Sequence, residues 1–275
     1  MQQTAGNLRS GGKRIAVVPT MGALHDGHVA LIRAARQNAD VVVTTVFVNP
    51  TQFGRGEDFE RYPRDLPKDV ALAAAAGTDY VFAPTAAEMY PQGYSTDVDV
   101  RGVSGILEGH VRPGHFRGVA TVVLKLLNIT KPHIAVFGQK DAQQVVVIRH
   151  LMQDLNLDVA LVVVPIIREP DGLALSSRNV YLSAAERAQA PVLFRALGRA
   201  REMIGSGERS AERIVGAMGT MIQSASPVVI DYISIADAET LEEQAECRAG
   251  RPLLVSLAVR FGTTRLIDNI QITPP

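Results

Sequence analysis

The stretch "VVPTMGALHDGHVALIRAA", residues 17–35, decides how the rest of the chain is read. A β-branched apolar run ends at Pro19, a glycine-bearing turn follows, and apolar residues then recur at helical spacing. Two histidines, His25 and His28, stand three apart where the helix begins. Such a pair suits a metal, the oxygens of a phosphate, or the capping of a helix. Zinc normally takes a third protein ligand, and the HExxH pattern is absent. The GxxxxGK[ST] loop and a strand-following GxGxxG are missing as well, which argues against those two nucleotide-binding schemes. The strand and glycine turn beside the histidines favour phosphate.

Working outward, strand-like runs at 14–19, 41–49, 80–84, 133–138 and 158–167 alternate with helical patterns at 27–40, 66–79, 118–132 and 141–157. The runs are apolar throughout rather than alternating, as expected for strands buried on both faces of a parallel sheet. Gly77 marks a helix end, where a left-handed cap is needed. This alternation predicts a Rossmann-like α/β fold, a doubly wound parallel sheet, over residues 1–178. Helices are then expected at 183–207 and 210–225, the first opened by a Ser183/Glu186 capping box. Strands follow at 228–237, 252–262 and 264–272, the last two joined by a tight turn. Residues 179–275 therefore read as a smaller α+β domain.

The bulk numbers narrow the function. Hydrophobic residues make up 47% of 275, enough for a substantial core. Lys plus Arg equals Asp plus Glu at 28 each, which argues against a protein that holds nucleic acid through bulk phosphate attraction. The single cysteine, Cys247, allows no intrachain disulfide and suits a cytoplasmic setting. The segment "MQQTAGNLRSGGKR" lacks the apolar core of a signal peptide, and no apolar run reaches the roughly 20 residues of a spanning helix.

Polar signatures gather at the carboxyl ends of the expected strands, where open α/β sheets bind ligands. "PTMGALHDGH" follows the first, "NPTQF" the second, "GQKD" the strand at 133–138, and "REPDGLALSSRN" the strand at 158–167. Lys140 suits the neutralising of charge on a reacting phosphoryl group. Ser176, Ser177 and Arg178 offer two hydroxyls and a guanidinium to a polyphosphate. The amides of Gln52 and Gln144 suit a substrate with hydroxyl and carboxylate groups. "RPGHFRGVATVVLK" adds Arg112, His115, Arg117 and Lys125, either as an anion-receiving turn or as packing. His133 and His150 read as structural.

In order and spacing, "PTMGALHDGH", "VNPTQF", "YPRDLPKD", "RPGHFRGVATVV", "GQKDAQQ" and "DGLALSSRN" resemble the pantothenate synthetase, or pantoate–β-alanine ligase, family, from about residue 8 to the end. The resemblance implies a two-step reaction. ATP and pantoate give pantoyl adenylate and pyrophosphate, and β-alanine then gives pantothenate and AMP. It implies Mg²⁺, a homodimer and the cytoplasm. Carried over residue by residue, the ATP site comprises Met21, Gly22, Ala23, Leu24, His25, Asp26, Gly27 and His28, with Gly138, Gln139, Lys140, Asp141, Ile167, Leu175, Ser176, Ser177 and Arg178. His28, His25, Lys140 and Arg178 take the catalytic roles, with His28 the proton donor. Gln52 meets pantoate and β-alanine, and Gln144 meets pantoate. Asp69 is the candidate Mg²⁺ ligand, with the metal held mainly by ATP phosphates. Gln139, Leu175 and Lys68 depart from the common family pattern, and Lys68 weakens the case for a protein metal ligand.

Overall fold

The computed structural model describes residues 1–54, 56–225 and 227–275. The chain divides into two compact units, Met1–Gln139 with Gln143–Pro165, and Lys140–Ala142 with Ile166–Pro275. The expected junction between residues 178 and 179 lies inside the second unit.

The first unit runs α1 (Gln2–Ser10), β1 (Ile15–Thr20), α2 (Asp26–Asn38), β2 (Val41–Val46), α3 (Leu66–Ala76), β3 (Tyr80–Phe82), α4 (Ala86–Met89), α5 (Glu108–Val111), α6 (His115–Thr130), β4 (Ile134–Gly138), α7 (Ala142–Asp154) and β5 (Ala160–Val164). Its five strands are parallel in the order β3-β2-β1-β4-β5. This is the expected doubly wound arrangement, with its switch point between β1 and β4. β1 and β2 are almost wholly buried, in keeping with their continuous β-branched runs. Ala16, Val18, Ile32, Ala35, Ile134 and Val136 belong to one core cluster, which holds α2 to the sheet.

Pro19 shapes the switch point. The ladder between β1 and β4 stops at Val17–Ala135. Odd-numbered residues of β1 face β4, since the Ile15 carbonyl accepts from the His133 N–H, while the even-numbered Arg14 and Thr20 carbonyls accept from Val41 and Phe47. Pro19 thus turns a nitrogen without hydrogen toward β4, and the ladder cannot continue there. The carboxyl ends of β1 and β4 therefore no longer pair with each other just where the histidine turn begins, although each stays paired with its other neighbour.

Most elements fall where the sequence places them, and the departures have local causes. α1 was not foreseen, because only its Ala5 is buried and "QQTAGNLRS" has no apolar stripe. α6 begins at His115 rather than 118, since the left-handed Gly114 starts the helix. Gly77 caps α3 at φ 109° as expected.

The second unit carries α8 (Ala184–Gln189), α9 (Val192–Gly205), α10 (Ala211–Gln223) and the antiparallel meander β6 (Val228–Asp237), β7 (Leu253–Phe261) and β8 (Thr264–Ile272). The helix expected at 183–207 is two helices, because Pro191 interrupts the backbone ladder. The Ser183/Glu186 capping box is present. Leu197, Ile204, Ile214 and Met218 join Ile235, Val255, Leu257 and Val259 in one core, the expected segregated α+β layering. Cys247 is fully buried, and that burial raises its thiol pKa. Its environment is that of a packed residue rather than a nucleophile.

Candidate active site

The turn after β1 is held from three directions. Thr20 donates its hydroxyl to the Thr45 carbonyl (2.6 Å) and accepts the Gly22 N–H (3.2 Å), fixing the strand end. Asp69, only 2% exposed, accepts the Ala23 N–H at 3.0 Å through Oδ2 and the Leu24 N–H at 2.8 Å through Oδ1. The backbone needs this clamp, because Gly22 and Ala23 both sit at positive φ, 83° and 51°. A side chain at Gly22 would meet Asp69 Oδ2 at 2.8 Å, so the carboxylate and the glycine require one another. Each charge-assisted hydrogen bond of this kind contributes roughly 1.5–3 kcal/mol.

Next in the chain, His25 and His28 form a capping box of imidazoles at the head of α2. His25 Nδ1 accepts the Gly27 N–H (3.1 Å), and His28 Nδ1 accepts the His25 N–H (3.2 Å). The ring centroids are 4.2 Å apart. Accepting at Nδ1 fixes the tautomer, for a neutral ring must then carry its proton on Nε2. Each histidine caps the helix with one nitrogen and carries an N–H donor on the other. Capping and phosphate binding are therefore compatible uses of the same pair.

Gln52 lies in the 3-10 turn Pro50–Gln52 after β2 and is 8% exposed. Its Oε1 accepts from Asn49 Nδ2 (3.0 Å), and its Nε2 approaches Met21 Sδ (3.3 Å), which links the two strand-end turns. Asn49, which sequence reasoning passed over within "NPTQF", is the hub. It is 1% exposed, donates to the Gly118 carbonyl (3.2 Å) and accepts the Tyr90 hydroxyl (2.8 Å). Its sequence signal was available, as an asparagine before proline at a helical start caps the turn. α6 packs closely here, and a Cβ on Gly118 would stand 2.5 Å from the Thr51 carbonyl oxygen.

"RPGHFRG" resolves as support for this turn. His115 Nδ1 lies 2.8 Å from the Gln52 carbonyl oxygen, while its Nε2 is 3.1 Å from Arg112 Nη1. Arg112 also grips Glu57 through two hydrogen bonds, at 2.7 and 2.6 Å. Burial and the neighbouring Arg112 charge push the His115 pKa down to about 4, so the ring is neutral at pH 7. Such a ring accepts from Arg112 and donates to Gln52. Burial raises the Glu57 pKa, but the Arg112 hydrogen bond and charge outweigh it and leave the carboxyl below its usual range. Lys125 stacks over Tyr94 (4.6 Å) and Tyr90 (5.5 Å). His133 is structural as read, its Nδ1 accepting the Ile15 N–H at 3.0 Å. Gln143 is bound to the segment ahead of α6 through Glu108 N–H and the Val103 and Ile106 carbonyls. The side chain of the neighbouring Gln144 hydrogen-bonds none of the described residues and is only partly buried.

Gly138 closes β4, and Gln139–Asp141 form a 3-10 turn whose Lys140 and Asp141 belong to the second unit. In that unit Ile167 accepts the Leu175 N–H (2.9 Å), closing a short hairpin, and Ser176 caps the 3-10 turn Ser177–Tyr181 by accepting the Arg178 N–H (3.2 Å). Arg187 ties the hairpin to α8 through Glu169 (2.5 Å) and Asp171 (2.6 Å). The expected site residues thus divide between the units, Met21–His28, Gln52, Gly138, Gln139 and Gln144 in the first, and Lys140, Asp141, Ile167 and Leu175–Arg178 in the second.

A family model described as pantoate-beta-alanine ligase matches residues 1–271. The chain belongs to that family. A pantothenate synthetase from Acetivibrio thermocellus is 55% identical to this ligase-family chain over 261 residues, 95% of the chain and 92% of the relative. The crystal structure of pantothenate synthetase from Thermus thermophilus matches it with a TM-score of 0.92 at 48% identity, covering 98% of each chain. The pantoate-beta-alanine ligase from Francisella tularensis, complexed with beta-gamma ATP and beta-alanine, matches with a TM-score of 0.79 at 33% identity, covering 99% of this chain and 97% of that one.

In this member of the family Asp69 does not fit a metal-ligand role well. Both of its oxygens already accept main-chain N–H groups. Among the described residues no group of three or more His, Cys, Asp or Glu side chains could hold a metal ion.

Proposed function

We propose that this chain joins pantoate to β-alanine at the expense of ATP, forming pantothenate, AMP and pyrophosphate in the pantothenate branch of coenzyme A biosynthesis. The observation that carries the reading is the reciprocal His25/His28 cap, which puts an Nε2–H donor on each of two rings at the start of a helix, beside the switch point of a parallel sheet. The family match supports the same reading.

In the first step the pantoate carboxylate attacks the α-phosphorus of ATP and pyrophosphate departs. Charge builds on the phosphoryl oxygens, and His25, His28, Lys140, Ser176, Ser177 and Arg178 answer it with N–H, O–H and guanidinium donors. His28 is the donor assigned to the reacting phosphoryl group, with His25 beside it on the phosphates. In the second step the β-alanine amine attacks the acyl carbon and AMP leaves. No covalent enzyme intermediate is required, since the adenylate is itself the activated acyl group. Gln52 binds the pantoate and lies close to the β-alanine, and Gln144 completes the pantoate contacts.

Mg²⁺ enters this proposal as a companion of the nucleotide, held by phosphate and water, where it would neutralise phosphate charge. The described residues do not build a protein cage for it, and neither step of the reaction depends on one. Residues 179–275 are proposed as a lid that keeps water from the adenylate. We also propose a cytoplasmic homodimer without nucleic-acid or membrane partners. No helix among the described residues is long and apolar enough to cross a membrane.

Incubation with ATP, Mg²⁺, pantoate and β-alanine yields AMP and pantothenate in equal amounts under this proposal. Release of ADP in place of AMP would overturn the adenylation route. Light scattering at working concentration reports the dimer as twice the chain mass.

A further inference from the structure

The last strand carries two adjacent polar residues, Asp268 and Asn269, each 3% exposed. Neighbours in a strand face opposite sides of the sheet, and the register agrees, with Asp268 opposite the core residue Leu257 and Asn269 opposite Ser256. Buried polar side chains at such positions are costly unless they are satisfied.

Asp268 receives Arg168 through two hydrogen bonds, Nη1 to Oδ2 at 2.6 Å and Nη2 to Oδ1 at 2.9 Å. The Arg168 guanidinium lies 4.3 Å from the Phe194 ring centroid and also donates to the Gly172 carbonyl (3.0 Å). The hairpin that leads into Leu175–Arg178 is therefore fastened to β8. Asn269 does the matching task on the other side. Its Nδ2 donates to the Lys140 carbonyl at 2.9 Å across 129 positions of sequence, and its N–H donates to Asp268 Oδ1 at 2.8 Å. Two consecutive residues thus hold both of the polar segments this unit contributes, and a shared carboxylate couples the two holds.

We infer that Asp268–Asn269 is the positioning element of the polyphosphate-binding groups, with Asn269 setting Lys140 and Asp268, through Arg168, setting Ser176–Arg178. The inference rests on the proposed role of Lys140. Asn269 touches no reacting atom in this scheme and acts on a main-chain carbonyl. An asparagine suits the position because its amide supplies a short neutral donor. An aspartate would face a carbonyl oxygen with another oxygen. The effect on rate follows from placement, since electrostatic stabilisation of a phosphoryl group depends on donors held within a fraction of an ångström.

The test is single-turnover adenylate formation with ATP, Mg²⁺ and pantoate, run on Asn269→Ala and Asn269→Asp in the wild-type and Lys140→Ala backgrounds. Asn269→Asp keeps the shape and removes the donor, and thermal unfolding checks that each variant is folded. The expected result is a roughly tenfold slower step in the wild-type background and less than about twofold further loss beside Lys140→Ala. Equal losses in both backgrounds would mark a general structural effect and overturn the inference. So would wild-type rates in both Asn269 variants while Lys140→Ala is slow. A full rate in Lys140→Ala itself would overturn the parent reading of Lys140, a result distinguishable from the other two.

Discussion

The histidine turn and the lysine turn follow neighbouring strands of one sheet, yet they are held in different ways. The first is fastened within its own unit. Thr20, Thr45 and Asp69 hold the main chain from Thr20 to Leu24, and the two imidazoles cap the helix that follows. The second has three residues of 3-10 turn, and a neutral amide from the last strand grips it by one carbonyl. A turn with residues at positive φ needs a permanent internal clamp. The lysine turn has no residue at positive φ, and a hydrogen bond from a strand 129 positions away reaches it.

Substitutions can break or sharpen this contrast. The largest effects belong to the donors themselves. His28→Ala and Lys140→Ala each slow adenylate formation by about 10²- to 10³-fold, and an unchanged single-turnover rate removes that residue from the catalytic set. Acid separates the two regions next. The His115 ring beneath Gln52 is neutral when folded, with its pKa lowered to about 4 by burial and by Arg112. An unfolded histidine titrates near 6.5, so between these values the unfolded chain binds more protons. Stability then falls as pH drops from about 6.5 to 4, by up to roughly 3 kcal/mol. His115→Gln keeps a donor for the Gln52 carbonyl and removes the titration. Urea unfolding across that range shows a flatter profile for the variant, and parallel profiles would refute the account. The neutral Asn269 amide has no counterpart to this sensitivity.

Asp69→Asn comes next. The amide presents one group that cannot accept, so one of the two N–H groups at Ala23 and Leu24 loses its partner. Adenylation slows by roughly tenfold, while the Mg²⁺ concentration giving half-maximal rate stays put. A large rise in that concentration would restore Asp69 to the metal. The smallest effect is that of Gln52→Ala, a rise in the pantoate KM of about fivefold to tenfold with a modest change in kcat. An unaltered KM would contradict the pantoate assignment.

These contrasts also mark how far the sequence could be read. The β1–α2–β2 corner was legible because continuous apolar runs alternate with helical spacing and are punctuated by proline and glycine. The histidine pair stood out for the same reason, and so did the motifs after each strand. Asp69 is a candidate metal ligand only through the family resemblance, and nothing beside it in the sequence signals the two main-chain N–H groups, 45 and 46 positions earlier, that its oxygens accept. Asn269 gave no local signal at all, since it sits in an ordinary strand and its partner is 129 positions away. α1 was missed for lack of periodicity, and the break at Pro191 because the apolar pattern runs through it. Local chemistry reveals which residues bear reactive groups, whereas the residues that aim them are chosen by the fold.

An anchor that grips a main-chain carbonyl is blind to what hangs from that residue. Position 140 can therefore carry a shortened, methylated or sulfur-containing lysine analogue without loosening the turn. A series of such analogues would read the reach and charge of one ammonium group as a ruler laid along the nucleotide, with the rest of the molecule standing still.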